Sequence, residues 1–312
     1  MSTSATSKAP ITPRIGRINK RGKGPRYAKT GYLFVAPFMI AFTAMFLVPL
    51  AYAAYFSLFR EQMIGGNVFV GLDNYTRAFT DPQLLQGIGR VALFFLIQVP
   101  LMLVMALFFA LALDSGLLRL AKTVRLAIFL PYAVPSVVAA LMWGFLYGPD
   151  FGPIAQFADK IGAAAPDFLS ADLMLGSIAN VVFWEFTGYN MILLFAALRA
   201  IPTELYEAAA VDGAGPWRIA WSIKIPSLRP AIVLCSIFSI IGSFQLFNEP
   251  SIMRTLAPNV IIADYTPNLY AYNLAFVGQE YNYAAAVSFA LGFVIMAGSY
   301  IFMLATNRRS RS

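Results

Sequence analysis

Long apolar stretches alternate with shorter polar connections along most of this chain. A helix needs about 20 apolar residues to cross the hydrocarbon layer of a membrane. The pattern therefore predicts an all-α polytopic membrane protein with six transmembrane helices. The six predicted spans are Tyr32–Leu58, Val91–Leu113, Leu126–Tyr147, Leu173–Leu198, Ala231–Phe247 and Ala284–Thr306.

The first apolar stretch has a second interpretation, because it follows basic residues and contains Ala51-Tyr52-Ala53. Both features are also found in cleaved signal peptides. The apolar core of a signal peptide is about 7–15 residues long, however, and this stretch is about twice that length. We therefore predict an uncleaved span. The membrane domain is predicted at residues 31–307, between a basic tail at 1–30 and a C-terminal segment at 308–312.

Composition supports the membrane class and excludes several kinds of chemistry. Apolar residues make up 59% of the 312 residues and charged residues 12%, against roughly 45–50% and about 25% in soluble proteins. The single cysteine, Cys235, excludes an intrachain disulfide and a thiolate metal cluster. With no histidine, zinc sites of the His type and Ser-His or Cys-His catalysis are excluded as well. We predict no catalytic residue and no metal site.

The net charge of +8 raises the question of nucleic-acid binding. Eight of the 23 Lys and Arg residues precede the first apolar stretch. A basic segment beside a span usually determines topology or contacts anionic lipid. We therefore predict a membrane-associated tail and no nucleic-acid partner. Its Ser, Thr and Pro content predicts disorder over most of its length.

The distribution of Lys and Arg also predicts the orientation, since cytoplasmic connections carry an excess of these residues. With a cytoplasmic N-terminus, eighteen of them lie inside and five outside. Both termini are therefore predicted to be cytoplasmic, and so is the connection between spans four and five.

That connection, at residues 200–228, has a regular pattern: Glu207-Ala208-Ala209, three residues, Gly213, nine residues, then Ile223-Lys224-Ile225-Pro226. Thr203 is predicted to cap a first short helix, and Gly213 to end it in the left-handed conformation. A second short helix is predicted to begin at Gly215-Pro216 and to end at Pro226.

An ordinary interfacial helix would explain Trp217 and Trp221, because Trp is common at membrane interfaces. It would not explain Glu204, Glu207 and Asp212 on a leaflet that is itself negatively charged. A protein partner with a groove for this element explains both observations, and we favour that interpretation.

The pattern resembles the EAA loop of binding-protein-dependent ABC importer permeases, with Ile225 where the family has Leu. The stretches Gly71–Tyr75 and Leu130-Pro131-Tyr132 resemble the family as well. From about Tyr32 onward the chain is similar to the MalF/UgpA type of sugar and glycerol-phosphate ABC importer permeases.

The resemblance implies the type I importer permease fold in a bacterial or archaeal cytoplasmic membrane. It also implies a second homologous permease subunit, two ATP-binding subunits and an external solute-binding protein. The chain has no G-x-x-x-x-G-K-[ST] motif, so ATP is expected on the partner subunits and no cofactor or enzymatic activity on this chain. The predicted ATPase-coupling residues are Glu204, Glu207, Ala208, Ala209, Asp212, Gly213, Trp217 and Pro226.

Polar residues inside spans four and five are candidates for the solute path. Glu185 lies near the middle of span four, where an ionised carboxylate costs about 2.5–3.5 kcal/mol, and no Lys or Arg lies in the spans to pair with it. Tyr189 matches a position that contributes to the solute site in maltose-type relatives. The predicted path consists of Glu185, Tyr189, Asn190, Ser243, Gln245 and Asn248.

The role of Glu185, the solute and the function class each have an alternative. Glu185 is also interpretable as a structural acid at the contact with the second permease. Glu249, at the end of span five, is expected at the outer interface. A neutral sugar is favoured over glycerol 3-phosphate, because the spans offer no cation. A proton-coupled carrier using Glu185 as its relay and a membrane-embedded enzyme remain as alternatives.

Overall fold

The computed structural model describes residues 25–308, except positions 63 and 117. Most of the predicted basic tail and residues 309–312 lie outside the described residues. Two compact units are distinguished, Met1–Tyr52 and Ala53–Ser312. The first contains helix α1 (Pro25–Phe42), a π-helical turn and the beginning of α2 (Val48–Phe56).

Four helical segments of the described chain are long and apolar enough to cross a membrane. The number rises to six if each of two bent helix pairs is a single span. The predicted all-α architecture is thereby confirmed. The four unbroken segments are Thr30–Phe56, Pro82–Asp114 (α4), Met174–Arg199 (α8) and Tyr281–Thr306 within α15 (Tyr281–Arg308).

Helix α4 begins nine residues before the predicted span. The Asp81 carboxylate accepts a hydrogen bond from the backbone N–H of Gln83 at 2.9 Å, which caps the helix, and Pro82 occupies its first turn. Proline is favoured there because its missing N–H has no partner within the helix in any case. At 33 residues α4 is about 50 Å long, so it extends beyond the hydrocarbon layer.

The third predicted span is broken, and its prediction as one helix was wrong. Helix α5 (Ala121–Phe129) is followed by a 3-10 turn at Leu130–Ala133 and by α6 (Ser136–Leu146), and the pair is bent by 96°. The cause lies in Pro135, which cannot donate a hydrogen bond and forces the preceding residue out of the helical region. Val134 accordingly has φ −79° and ψ 128°.

The fifth predicted span ends earlier than expected. Helix α12 (Arg229–Phe244) stops before Gln245, and the chain turns at residues 245–247 before α13 (Asn248–Leu256) begins. The helical stretch Pro216–Ser227 precedes α12 with a bend of 58°. The predicted end at Phe247 was therefore wrong, because the turn separates the last polar residues from the helix.

Short elements fill the connections predicted to face outside. A hairpin pairs β1 (Phe59–Gln62) with β2 (Gly66–Phe69) in antiparallel register. Besides α13, three short helices accompany it, namely α3 (Asp73–Thr80), α7 (Pro153–Lys160) and α14 (Pro267–Phe276).

The core of the second unit forms where α4 packs along α8. Buried apolar residues from both helices meet there, among them Ala106, Ala110, Met191 and Leu194. Small side chains allow the helix backbones to approach closely, as is common in membrane bundles. This pair contributes Gln98, Tyr189 and Asn190 to the site described next.

Candidate solute site and coupling surface

A cavity of about 270 Å³ lies where α4, α8 and α12 meet the chain breaks that precede α6 and α13. Its wall combines aromatic and aliphatic side chains with a set of polar ones, as is usual for small-molecule sites. The polar lining residues are Gln98, Ser136, Tyr189, Asn190, Ser239, Ser243, Gln245, Asn248 and Glu249.

Five of the six residues predicted for the solute path line this one cavity: Tyr189, Asn190, Ser243, Gln245 and Asn248. Glu185 is not among the lining residues. The turn at residues 245–247 accounts for the convergence, since it directs Gln245 and Asn248 toward the space beside α8 instead of along a continuing helix. Their role in solute binding stays a prediction.

Several lining side chains are held by hydrogen bonds. Asn248 Nδ2 donates to Ser136 Oγ at 2.7 Å and so joins the beginning of α13 to that of α6. Asn190 Nδ2 donates to the backbone oxygen of Phe186 at 3.0 Å. Gln98 Nε2 lies 3.4 Å from the sulfur of Met102. These contacts fix the orientation of the polar groups around the cavity.

Aromatic rings form one side of the site. Tyr189 stacks on Tyr132, with ring centroids 4.7 Å apart and planes inclined by 21°. Phe186 meets Tyr132 edge-on at 5.7 Å. Gly188 allows this arrangement, because a Cβ there would collide with the backbone of Ile128 and Phe129 at the end of α5.

Two carboxyl groups accompany the cavity. Glu249 is 6% exposed and lines it, and its place at the outer interface stays a prediction. Glu185 is 3% exposed, and its Oε2 has no hydrogen-bond partner among the described residues. None of the described residues that line the cavity is Lys or Arg.

Sequence reasoning missed four polar lining residues, namely Gln98, Ser136, Ser239 and Glu249. Gln98 offered a signal, since it is a polar residue in the middle of a long apolar stretch. Ser136 offered none, because its place depends on the break at Pro135. Among the described residues, no group of three or more His, Cys, Asp or Glu could hold a metal ion.

The loop between α8 and α12 carries the predicted coupling residues. Helix α9 (Thr203–Val211) ends before Gly213, whose φ of +82° is the left-handed conformation predicted for it. A second helix begins at Pro216 as predicted, with α10 (Pro216–Ile219), a π-helical turn and α11 (Ile225–Ser227).

One detail of that loop was predicted wrongly. Thr203 is not the cap, because Pro202 occupies that position and no side-chain capping bond forms. The second helical stretch ends at Ser227, one residue beyond the predicted end at Pro226, and Pro226 lies in the first turn of α11.

The surface of the loop combines exposed acids with exposed apolar side chains. Val211 is 88% exposed, Trp217 80% and Trp221 66%. Acidic side chains lie along the same segment and are exposed as well, namely Glu204, Glu207 and Asp212. Of the remaining predicted coupling residues, Ala208 and Gly213 are exposed, and Ala209 and Pro226 are half-buried.

Comparison with known proteins places the chain among transport permeases, although no family model matches it. It is 32% identical over 292 residues to the lactose transport system permease protein LacF of Rhizobium radiobacter, covering 91% of this chain and 96% of LacF. It is also 32% identical over 269 residues to the sn-glycerol-3-phosphate transport system permease protein UgpA of Salmonella choleraesuis, covering 85% of this chain and 90% of UgpA.

The fold has a solved counterpart. A chain of a bacterial alginate ABC transporter, in complex with an alginate pentasaccharide-bound periplasmic protein, superposes with a TM-score of 0.77. The match covers 92% of this chain and 95% of that one, at 21% sequence identity.

Proposed function

The chain belongs to the sugar ABC importer permeases of the MalF/UgpA type, and from that premise we propose that its cavity forms part of the path of a neutral sugar. The single observation that carries the proposal is a polar cavity with aromatic walls, a carboxyl group and no cation. Hydroxyl groups of a sugar can donate to Glu249 and to the amide oxygens, while its C–H faces pack on Tyr189 and Phe186.

An anionic solute fits this wall poorly. The two first-named relatives transport lactose and sn-glycerol 3-phosphate, so the family includes neutral and anionic solutes. Phosphate recognition in proteins relies on Arg, Lys or clustered backbone N–H groups. The described wall offers the Glu249 carboxyl group and neither Lys nor Arg, so it supplies no counter-charge for a phosphate or a carboxylate.

The exposed surface of the coupling loop supports docking to an ATP-binding subunit. Trp217 and Val211 expose apolar side chains, and the exposed acids Glu204, Glu207 and Asp212 lie along the same segment. Partly aromatic centres with polar rims are typical of protein interfaces. The partners we propose are two ATP-binding subunits, a second permease subunit and a solute-loaded external binding protein, such as the one seen with the alginate transporter.

The orientation follows from the charge distribution, with both termini and the coupling loop in the cytoplasm of a bacterium or archaeon. A reporter fused after Arg311 should be active only in its cytoplasmic form. An externally active fusion at that point would overturn this topology.

The central experiment purifies the chain with its co-expressed partner subunits and reconstitutes the complex with its binding protein in liposomes. Neutral sugars, glycerol 3-phosphate and an acidic oligosaccharide are compared for uptake and for stimulated ATP hydrolysis. We expect ATP-dependent uptake of a neutral sugar. Glu207→Lys should abolish stimulation, and Glu61→Lys in the external hairpin should not.

Three results would contradict the proposal. Uptake driven by a proton gradient without ATP would favour the secondary-carrier alternative. Preferred uptake of an anion would refute the solute class. Purification without any ATP-binding subunit, from cells that express one, would refute the docking assignment.

A further inference from the structure

A buried ion pair joins the end of α4 to the coupling loop. Lys224 Nζ lies 2.5 Å from Asp114 Oδ2, and the two side chains are only 15% and 7% exposed. Asp114 is the last residue of α4, and Lys224 is the last residue of the π-helical turn that follows α10. The contact bridges 110 positions of the chain.

A third side chain completes the contact. The Lys224 ammonium lies 5.0 Å from the ring centroid of Tyr206, in the range of a cation–π interaction. The Tyr206 hydroxyl is buried and has no hydrogen-bond partner among the described residues. Tyr206 belongs to α9, so Asp114, Lys224 and Tyr206 connect α4 to both helical parts of the loop.

The same helix α4 forms a wall of the cavity through Gln98, Val99 and Met102. Gln98 precedes Asp114 by 16 residues, which corresponds to about 24 Å of helix. The helix is continuous over that distance, with Pro100 inside it. A displacement of the loop therefore reaches the cavity wall through one helix that is attached to the loop at its end.

We propose that the Asp114–Lys224 pair transmits movement of the coupling loop to α4 and thereby to the cavity wall. Both residues act as positioning residues, and the inference rests on the proposed ATP-driven function. A buried pair is costly to break, because the remaining partner is left as an uncompensated charge. Because of this cost, the end of α4 and the coupling loop move together.

A purely structural role makes a different prediction. A pair that only stabilises the fold would lower the yield of assembled complex when broken, and each assembled complex would still couple normally. A transmitting pair lowers the stimulation of ATP hydrolysis by the solute-loaded binding protein in complexes that are fully assembled. The ratio of stimulated to basal hydrolysis per assembled complex separates the two roles.

The experiment uses the whole reconstituted complex and the variants Asp114→Asn, Lys224→Met, their combination, and the charge exchange Asp114→Lys/Lys224→Asp. Lys122→Met, at an exposed position of α5, is the matched control. We expect each single variant to lower the stimulation ratio about 2- to 30-fold, with basal hydrolysis retained. The charge exchange should restore most of it, and the two single effects should not add.

Unchanged stimulation in both single variants would overturn the inference. So would a loss that appears equally in the Lys122→Met control, or a reduced yield with normal stimulation per complex. If a single variant fails to assemble, the charge-exchange variant is the test, because it keeps both charges. Complexes of that variant that assemble without stimulated hydrolysis would overturn the inference. A wild-type complex without any stimulated hydrolysis would instead refute the proposed function on which the inference rests.

Discussion

The ring of Tyr189 stacks on the ring of Tyr132, with centroids 4.7 Å apart and planes inclined by 21°, so one face of Tyr189 is already covered within the chain. Tyr189 comes from the middle of α8, and Tyr132 from the turn between α5 and α6. Only the other face of Tyr189 is available to a solute in the cavity. Tyr132 supports that face by holding the ring in place.

This relationship predicts a graded pair of effects on uptake. Tyr189→Ala removes the ring face on which the solute packs. Tyr132→Ala leaves the Tyr189 ring in place but removes the ring that stacks on it. Because an aromatic contact contributes about 0.5–1.5 kcal/mol, we expect about 2- to 10-fold weaker apparent affinity in the first variant and a smaller loss in the second. Concentration-dependent uptake by intact complexes measures both.

Tyr189→Phe serves as the control, since it keeps the ring and removes only the hydroxyl. It should retain near-normal affinity. Normal uptake in Tyr189→Ala would remove this ring from the solute path and would favour the opposite wall, formed by Ser243, Gln245 and Asn248.

The Glu249 carboxyl group in the cavity wall predicts that the permease discriminates against anionic solutes. Glu249→Gln keeps the size and hydrogen-bonding capacity of the side chain but removes its negative charge from the wall. We expect uptake of glycerol 3-phosphate relative to a neutral sugar to rise about 10-fold, because a repulsion of about 1.4 kcal/mol corresponds to that factor. Uptake of both solutes by the same preparation gives the ratio.

Glu185→Gln tests the buried neighbour separately. A part in the solute path predicts lower uptake with normal assembly. A structural role at the contact with the second permease predicts unchanged uptake or a lower yield of complex. An unchanged solute ratio in Glu249→Gln would contradict charge exclusion whatever Glu185 does.

The turn of the coupling loop gives a prediction from backbone geometry. Gly213 has φ +82°, which proline cannot adopt because its ring fixes φ near −65°. Gly213→Pro should therefore abolish stimulated ATP hydrolysis while the permease still inserts in the membrane. Gly213→Asn should retain most of the activity, since Asn tolerates the left-handed conformation better than other residues. Equal activity of the two variants would show that the turn is dispensable.

The sequence predicted the membrane class, the helical architecture and the positions of most spans, because these depend on the lengths of apolar stretches alone. It also predicted the glycine turn of the coupling loop, since φ > 0 is a local property of the chain. Polar residues inside the spans predicted five of the residues that line the cavity.

What the sequence did not predict depends on breaks and long-range contacts. The 96° bend between α5 and α6 brings Ser136 to Asn248. The pattern of apolar residues does not indicate at which proline a span is broken by so large an angle. The Asp114–Lys224 pair joins residues 110 positions apart, and no local pattern marks it.

Close packing of α8 against α5 predicts a large effect from a small substitution. A Cβ at Gly188 would meet the backbone of Ile128 and Phe129, which cannot move aside as a flexible side chain can. We expect Gly188→Ala to destabilise the assembled permease by about 1–3 kcal/mol. Gly176→Ala is the matched control in the same helix, because open space surrounds that position. Thermal unfolding in detergent compares them, and equal stability would refute the close contact.

A cluster at the start of α4 makes the stability dependent on pH. The Asp81 carboxylate accepts hydrogen bonds from the hydroxyl groups of Tyr283 at 2.6 Å and Tyr270 at 2.7 Å. Burial by itself raises the pKa of Asp81, but these bonds and the capping bond favour the ionised form and hold the pKa below its ordinary value. The resulting stabilisation is present above the ordinary pKa and is lost as the pH falls through the lower value of the folded protein.

Asp81→Asn should therefore lower the stability at neutral pH by about 1 kcal/mol, a hydrogen-bond contribution discounted because Asp81 is partly exposed to solvent. The difference between wild type and variant should shrink as the pH falls below about 4, because the Asp81 carboxylate of the unfolded chain then takes up a proton, and that of the folded chain follows at lower pH. Thermal unfolding between pH 7 and pH 3 measures that difference. Asp159→Asn, at an exposed position of α7, should show no such dependence. A wild-type advantage that persists unchanged to pH 3 would mean that the ionised carboxylate does not supply it.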